Sequence, residues 1–170
     1  MWYVTQVMTG SEETTKKLCV ACEVCPEEDV FYFKVERQLR LGGQIRTVLK
    51  IMFPGYLFWE LSSEEEAVRL KQHLREIPRM TKLLQTGNEM VAVYPEEEDL
   101  LRNMGGEDHI IDLSKGIISG DNIIVSQGPL RGYEYRIKSV NRHDRVASLE
   151  INLFHRIVKM PIGLEIVQKI

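Results

Sequence analysis

Phe53-Pro54-Gly55-Tyr56-Leu57-Phe58-Trp59-Glu60-Leu61-Ser62-Ser63-Glu64-Glu65-Glu66 carries the clearest local instructions in the chain. Pro54-Gly55 is a turn signal, since proline presets one backbone angle and glycine tolerates the left-handed conformation beside it. Tyr56 to Leu61 is an apolar, aromatic run that reads as a buried strand. Ser63, followed three residues later by Glu66, is a capping box and opens a helix. That helix places Ala67, Leu70 and Leu74 on one face and Arg69, Lys71 and Arg75 on the others, and ends near Ile77-Pro78.

Working outward, Trp2 to Met8 reads as a strand that breaks at Thr9-Gly10-Ser11. Ser11 is a candidate N-cap, with Glu12 and Glu13 in a first turn where the helix dipole favours negative charge. Thr14 to Val24 supplies the body of the helix and Pro26 stops it. Val30 to Val35 and Ile45 to Phe53 flank Gly42-Gly43 as a hairpin, and Met90 to Tyr94 closes the sheet. The order β, α, β, β, β, α, β predicts helices on one side of an antiparallel sheet in residues 1–94.

Pro95 to Lys115 changes character. Its seven acidic residues oppose only Arg102 and Lys115, and it reads as a linker holding a short helix from Glu96 to Met104. Beyond it, Asn122–Ser126, Tyr135–Val140, Ala147–Phe154, Ile157–Met160 and Leu164–Val167 recur as short turn-bounded strands. They predict a small β-barrel over residues 116–170. The fold class expected is α+β, a sandwich domain, an acidic tether and a barrel.

The composition of 170 residues, 44% hydrophobic and 28% charged, is that of a globular protein, and no apolar run is long enough to span a membrane. No basic stretch leading into an apolar one marks the start of the chain, so a cytoplasmic location is expected. The net charge of −3 argues at first against nucleic acid, but it is unevenly spread. Residues 1–94 hold 12 basic and 13 acidic side chains, 95–115 hold 2 and 7, and 116–170 hold 8 and 5. The last segment is therefore cationic, with Arg131, Arg136, Lys138, Arg142, His143, Arg145, His155, Arg156 and Lys159 beside its turns. Such a set suits phosphate contact, and Tyr133, Tyr135 and Phe154 suit unpaired bases, although a solvated barrel face needs charges too.

Cys19, Cys22 and Cys25 have metal-like spacing but lack a fourth ligand nearby, since the first histidine is His73. Small buried hydrophobes are the plainer reading, and neither metal nor cofactor is expected. No nucleophile elbow, Walker loop or dinucleotide fingerprint is present. His143-Asp144 is adjacent in sequence, which suits a turn better than a catalytic dyad, so no enzymatic activity is expected.

Trp2-Tyr3-Val4, Thr9-Gly10-Ser11-Glu12, Phe53-Pro54-Gly55-Tyr56-Leu57, Pro78-Arg79, Gly120-Asp121 with Ile124-Val125, and Gly128-Pro129-Leu130-Arg131-Gly132 occur in an order that resembles the NusG family of transcription elongation factors. The resemblance covers nearly the whole chain. It implies an N-terminal NGN domain that docks on the clamp helices of RNA polymerase, a linker, and an SH3-like KOW barrel that recruits RNA or protein. The Thr9 to Glu12 turn, and the path from Gly128 to Asn141-Arg142-His143-Asp144-Arg145, look most like the LoaP-type antiterminators, whose KOW domain is associated with an RNA hairpin in the nascent transcript. Tyr135 stands where a KOW core usually has glycine, so either the turn differs there or Tyr135 is extended.

In that reading Trp2, Phe53, Pro54 and Tyr56 form the polymerase-binding surface, while the residues alone leave open that Phe53 and Tyr56 are core. Arg131, Arg136, Lys138, Arg142, His143, Arg145, Arg156 and Lys159 are the candidate RNA contacts. Arg75, Arg79 and Lys82 are weaker candidates for the non-template DNA strand, although cations at a helix end also answer the dipole. Arg40, Arg46 and Lys50 on the hairpin are weaker candidates for DNA or RNA. The protein is expected to act as a monomeric antitermination factor. A general NusG-type factor whose barrel binds protein, or an RNA-binding module without polymerase contact, are the alternatives.

Overall fold

The computed structural model describes residues 1–84 and 89–170. The chain forms two compact units, the first from residues 1–32, 53–98 and 152–156, the second from 33–52, 99–151 and 157–170. Among the described residues, no helix is long and apolar enough to cross a membrane.

The first unit is built on a four-stranded antiparallel sheet. Its strands are β1 (Trp2–Gln6), β2 (Val30–Phe31), β5 (Tyr56–Glu60) and β6 (Met90–Ala92), in the order β2-β5-β1-β6. β1 and β5 pair from Trp2↔Glu60 to Gln6↔Tyr56. Side chains alternate across a strand, so this register sorts the two faces. Tyr3, Val7, Leu57 and Trp59 pack with Cys19, Ala67, Leu70 and Leu74 of the helices α1 (Glu12–Ala21) and α2 (Glu64–Glu76). The indole N–H of Trp59 donates to Thr5 Oγ1 at 3.0 Å, so the buried polar atom on this face is satisfied.

The opposite face carries a cluster of rings. Trp2 meets Phe31 edge-on at 5.0 Å, Phe31 stacks on Phe58 at 5.7 Å, and Phe53 lies 5.9 Å from Phe58. Offset and edge-to-face packing of this kind adds to the burial of the rings.

The capping box forms in a displaced version. Ser63 Oγ accepts from the Glu66 N–H at 3.2 Å, while Glu66 reaches back to the N–H of Ser62 at 2.7 Å. Helix α1 begins at Glu12, but the Ser11 hydroxyl donates to the Met8 carbonyl instead of capping the helix, and the helix ends at Ala21, after which Glu23 takes a positive φ of 53° before Pro26 is reached.

The second unit contains the hairpin of β3 (Lys34–Leu41) and β4 (Gln44–Ile51), paired from Lys34↔Ile51 to Leu41↔Gln44. Gly42 and Gly43 both have positive φ, which a tight two-residue hairpin turn requires. The element order in sequence places this hairpin in the first sheet; instead it forms a separate one with β7 (Ile110–Ile111), in the order β4-β3-β7. Six of the eight residues of β4 are exposed, Ile45 and Leu49 among them, so this strand is not buried in the sandwich. Val30 to Val35, expected as one strand, is split at Tyr32-Phe33 between the two sheets.

The barrel sheet has the order β10-β11-β12-β8-β9. Its strands are β8 (Ser114–Ser119), β9 (Asn122–Gln127), β10 (Ser139–Asn141), β11 (Val146–Leu153) and β12 (Arg156–Lys169). β8 runs parallel to β12 and antiparallel to β9. Leu130, Ala147, Leu149, Ile151, Met160, Ile162 and Leu164 are buried in this unit. Ile157–Met160 and Leu164–Val167 are one strand, because the chain continues extended through Pro161. Gly163 is required where β12 crosses β3, since a side chain there would collide with the carbonyl of Glu36.

The acidic stretch is ordered by its apolar residues. Helix α4 (Pro95–Gly105) buries Leu100, Leu101 and Met104, and residues 110–115 enter β7 and β8. Tyr135 lies in a 3-10 turn, Glu134–Arg136, without a positive φ, so the turn differs from the glycine pattern and no strain results.

Leu74 is 1% exposed at the centre of the helical layer. Leu74→Ala should cost about 2–5 kcal/mol through lost burial and a residual cavity. Urea unfolding followed by the fluorescence of Trp2 and Trp59 measures this loss.

Candidate functional site

Phe53 to Tyr56 is held as a rigid turn in the first unit. The Gly55 N–H donates to Oε1 of Glu12 at 2.6 Å, the Gly55 carbonyl accepts from the Val7 N–H at 2.9 Å, and the Tyr56 N–H donates to the Phe53 carbonyl at 3.2 Å. Glu12 is fully buried at the start of α1. Gly55 has φ of 85°, and a Cβ there would sit 3.1 Å from Thr9 Oγ1 and 3.3 Å from the Val7 carbonyl oxygen. The Thr9 to Glu12 turn and the proline-glycine turn thus form one device. In sequence Glu12 reads only as a residue of a helix start; a carboxylate that begins a helix carries no mark of the distant amide it will accept.

Of the four residues expected on the docking surface, only Pro54 is openly exposed. Trp2 and Phe53 are each 1% exposed and belong to the ring cluster, which corrects their expected place on the surface. Their large apolar area is worth most when buried. Tyr56 is 8% exposed; its hydroxyl accepts from Gln6 Nε2 at 3.4 Å, and the Arg156 guanidinium lies 5.7 Å from its ring centre. Arg156, expected among the RNA contacts, is thus stationed on an aromatic face.

Arg75, Arg79 and Lys82 are exposed around the end of α2 and in the short helix α3 (Met80–Leu83). Arg79, Lys82 and Lys17 rim an apolar groove of about 460 Å³ lined by Thr14, Leu18, Ala21 and Leu83. The cysteines remain free thiols. Burial pushes Cys19 up to about 12, and burial together with the nearby Asp29 charge pushes Cys25 up to about 12, so both are protonated at neutral pH.

In the second unit, Gln38, Leu39 and Arg40 of β3 and Ile45 of β4 face Arg142, His143, Asp144 and Arg145 across a cleft of about 490 Å³. The turn that carries the latter is fixed internally. Asn141 Oδ1 accepts from the Asp144 N–H at 3.0 Å, and Asn141 Nδ2 donates to Asp144 Oδ2 at 2.7 Å. Arg145 follows with φ of 53°, and its carbonyl accepts from the Leu164 N–H at 2.8 Å. Arg142 and His143 are thereby held exposed at the tip.

The remaining expected contacts lie outside the lining of this cleft. Arg131, Lys138 and Lys159 are exposed and Arg136 is half-buried, while Arg46 and Lys50 are exposed along β4. The structure therefore joins part of the hairpin set to part of the barrel set, a pairing that neither segment announces in sequence.

These features define an α+β protein whose sandwich unit carries a braced apolar turn and whose barrel unit carries a cationic cleft. The family model described as transcription termination factor nusG matches residues 1–102. The chain belongs to the NusG family. It is similar, at 25% identity, to the transcription termination/antitermination protein NusG of Thermus thermophilus, over 98% of this chain and 96% of that protein. The protein of the same name from Treponema pallidum is also 25% identical, over 98% of this chain and 96% of the relative. A solved structure described as domain interaction in Thermotoga maritima NusG has 20% identity and a TM-score of 0.46, covering 95% of this chain and 92% of that one.

Gly55→Ala should destabilise the first unit by ~1 kcal/mol or more, because a side chain at positive φ is strained. Glu12→Ala should cost about 1–3 kcal/mol by leaving the Gly55 amide without its acceptor. Urea midpoints of the two variants and of the double variant test whether both act through one turn; the combined loss should fall short of the sum.

Proposed function

We propose that this chain is a transcription antitermination or elongation factor of the LoaP type. Its first unit docks on the clamp helices of RNA polymerase, and the barrel of its second unit binds an RNA hairpin in the nascent transcript. The observation that carries the RNA half is the internally braced turn that exposes Arg142 and His143. The braced backbone presents both side chains to solvent, and each cation that engages phosphate strengthens the salt dependence of binding.

Support for the polymerase half is the braced Pro54-Gly55-Tyr56 turn, where Pro54 is exposed beside the large Tyr56 ring. Arg156, itself exposed, lies over the face of that ring. Trp2 and Phe53 contribute from beneath by fixing the turn. Arg75, Arg79 and Lys82 offer phosphate contacts to the non-template strand.

A second reading has its own observation. Ile124, Tyr135, Ile157 and Val167 are 49%, 80%, 68% and 58% exposed, and apolar side chains in such positions suit a protein partner for the barrel, as in a general NusG-type factor.

Binding of the purified protein to a labelled RNA stem-loop and to an unrelated RNA, at physiological salt, tests the first reading. The stem-loop should bind at least ~tenfold more tightly. Equal binding would favour the protein-partner reading. Separately, Tyr56→Ala should weaken association with RNA polymerase by ~2 kcal/mol, the scale of an aromatic anchor, in a direct binding assay.

A further inference from the structure

The cleft in the second unit has two walls of different origin. Arg40 stands on the hairpin wall with Gln38, Leu39 and Ile45, and Arg142, His143 and Arg145 stand on the barrel wall with Asp144. Among the described residues, three arginines and a single carboxylate line the cleft, and Asp144 Oδ2 already accepts from Asn141 Nδ2. An excess of positive charge across a partly enclosed space favours an anion that enters it.

One further atom narrows the chemistry of that anion. Gln38 lines the cleft, and its Oε1 is buried and accepts no hydrogen bond. The phosphodiester of a nucleic-acid backbone can satisfy a guanidinium but offers no donor to a carbonyl oxygen, whereas a ribose 2′-hydroxyl offers one. Ile45, the cross-strand partner of Arg40, supplies an apolar patch on the same wall and is 50% exposed. Such a patch suits the face of a base or sugar. Phosphates, a hydroxyl donor and a flat apolar face together describe a ribonucleotide strand.

We propose that the β3–β4 hairpin and the β10–β11 turn form one ribose-phosphate clamp, with Arg40, Arg142 and Arg145 on the phosphates and Gln38 Oε1 accepting from a ribose 2′-hydroxyl. The inference rests on the RNA-binding reading of the barrel and adds the hairpin as a second jaw. The hairpin then contributes to distinguishing RNA from DNA, which cationic side chains alone do not do.

The test uses the full chain and a fluorescently labelled RNA stem-loop, with DNA of the same sequence for comparison, over a salt series. Arg40→Gln should weaken RNA binding and reduce the slope of log K against log salt by about one, as should Arg142→Gln. The double variant should lose less than the sum of the two, because both side chains grip the same strand. Arg40→Lys should recover part of the affinity, separating charge from damage to the hairpin, while Lys71→Gln on α2 serves as the unaffected control. Gln38→Leu should lower the preference for RNA over DNA.

If Arg142→Gln weakens binding while Arg40→Gln leaves affinity and slope unchanged, the clamp is wrong and a barrel-only RNA site stands. If neither variant changes binding, the RNA reading itself fails. An unchanged RNA preference in Gln38→Leu would overturn the ribose contact.

Discussion

A buried carboxylate holding a backbone amide organises the first unit. Glu12 accepts from the Gly55 N–H, and the Gly55 carbonyl accepts from Val7, so the start of α1, the end of β1 and the entry to β5 are tied at one point. From that point the β1–β5 register runs Gln6↔Tyr56 to Trp2↔Glu60. A slip by one residue would exchange the two faces of β5, bringing the Trp59 face into the ring cluster and the Phe58 face under the helices. The turn is therefore both the fold's register mark and the platform from which Pro54 is exposed.

Much of this is legible locally. The Ser63 cap, the apolar face of α2, the Gly42-Gly43 turn and most barrel strands are set by residues a few positions apart, where sequence spacing reports geometry directly. What stays hidden is long-range. The hairpin's alternation marks a strand pair but does not say which sheet receives it, and exposed β4 finds no place in the sandwich. The acidic stretch reads as a tether by charge, yet Leu100, Leu101 and Met104 share a buried helical side. Trp2 and Phe53 look like binding residues because aromatic side chains serve interfaces and cores equally well, and here the core takes them. The placement of Arg40 and Arg142 along one cleft likewise has no periodic signature in the sequence.

Charge illustrates how averages mislead. The chain is acidic as a whole, at −3, while residues 116–170 hold eight basic and five acidic side chains. Within the second unit, the fold then gathers three arginines around a cleft that has only one carboxylate in its lining. A protein needs no net positive charge to meet a phosphate backbone if its cations are grouped and its acids lie elsewhere. Membership of the NusG family gives this arrangement its context, an apolar turn in one unit and a cationic cleft in the other.

The most direct test of the account is transcription through a terminator by RNA polymerase, with and without this protein, on templates that do or do not encode an upstream RNA stem-loop. Read-through should rise only when protein and stem-loop are both present. Read-through that is unchanged by the protein, or raised equally without the stem-loop, would contradict it.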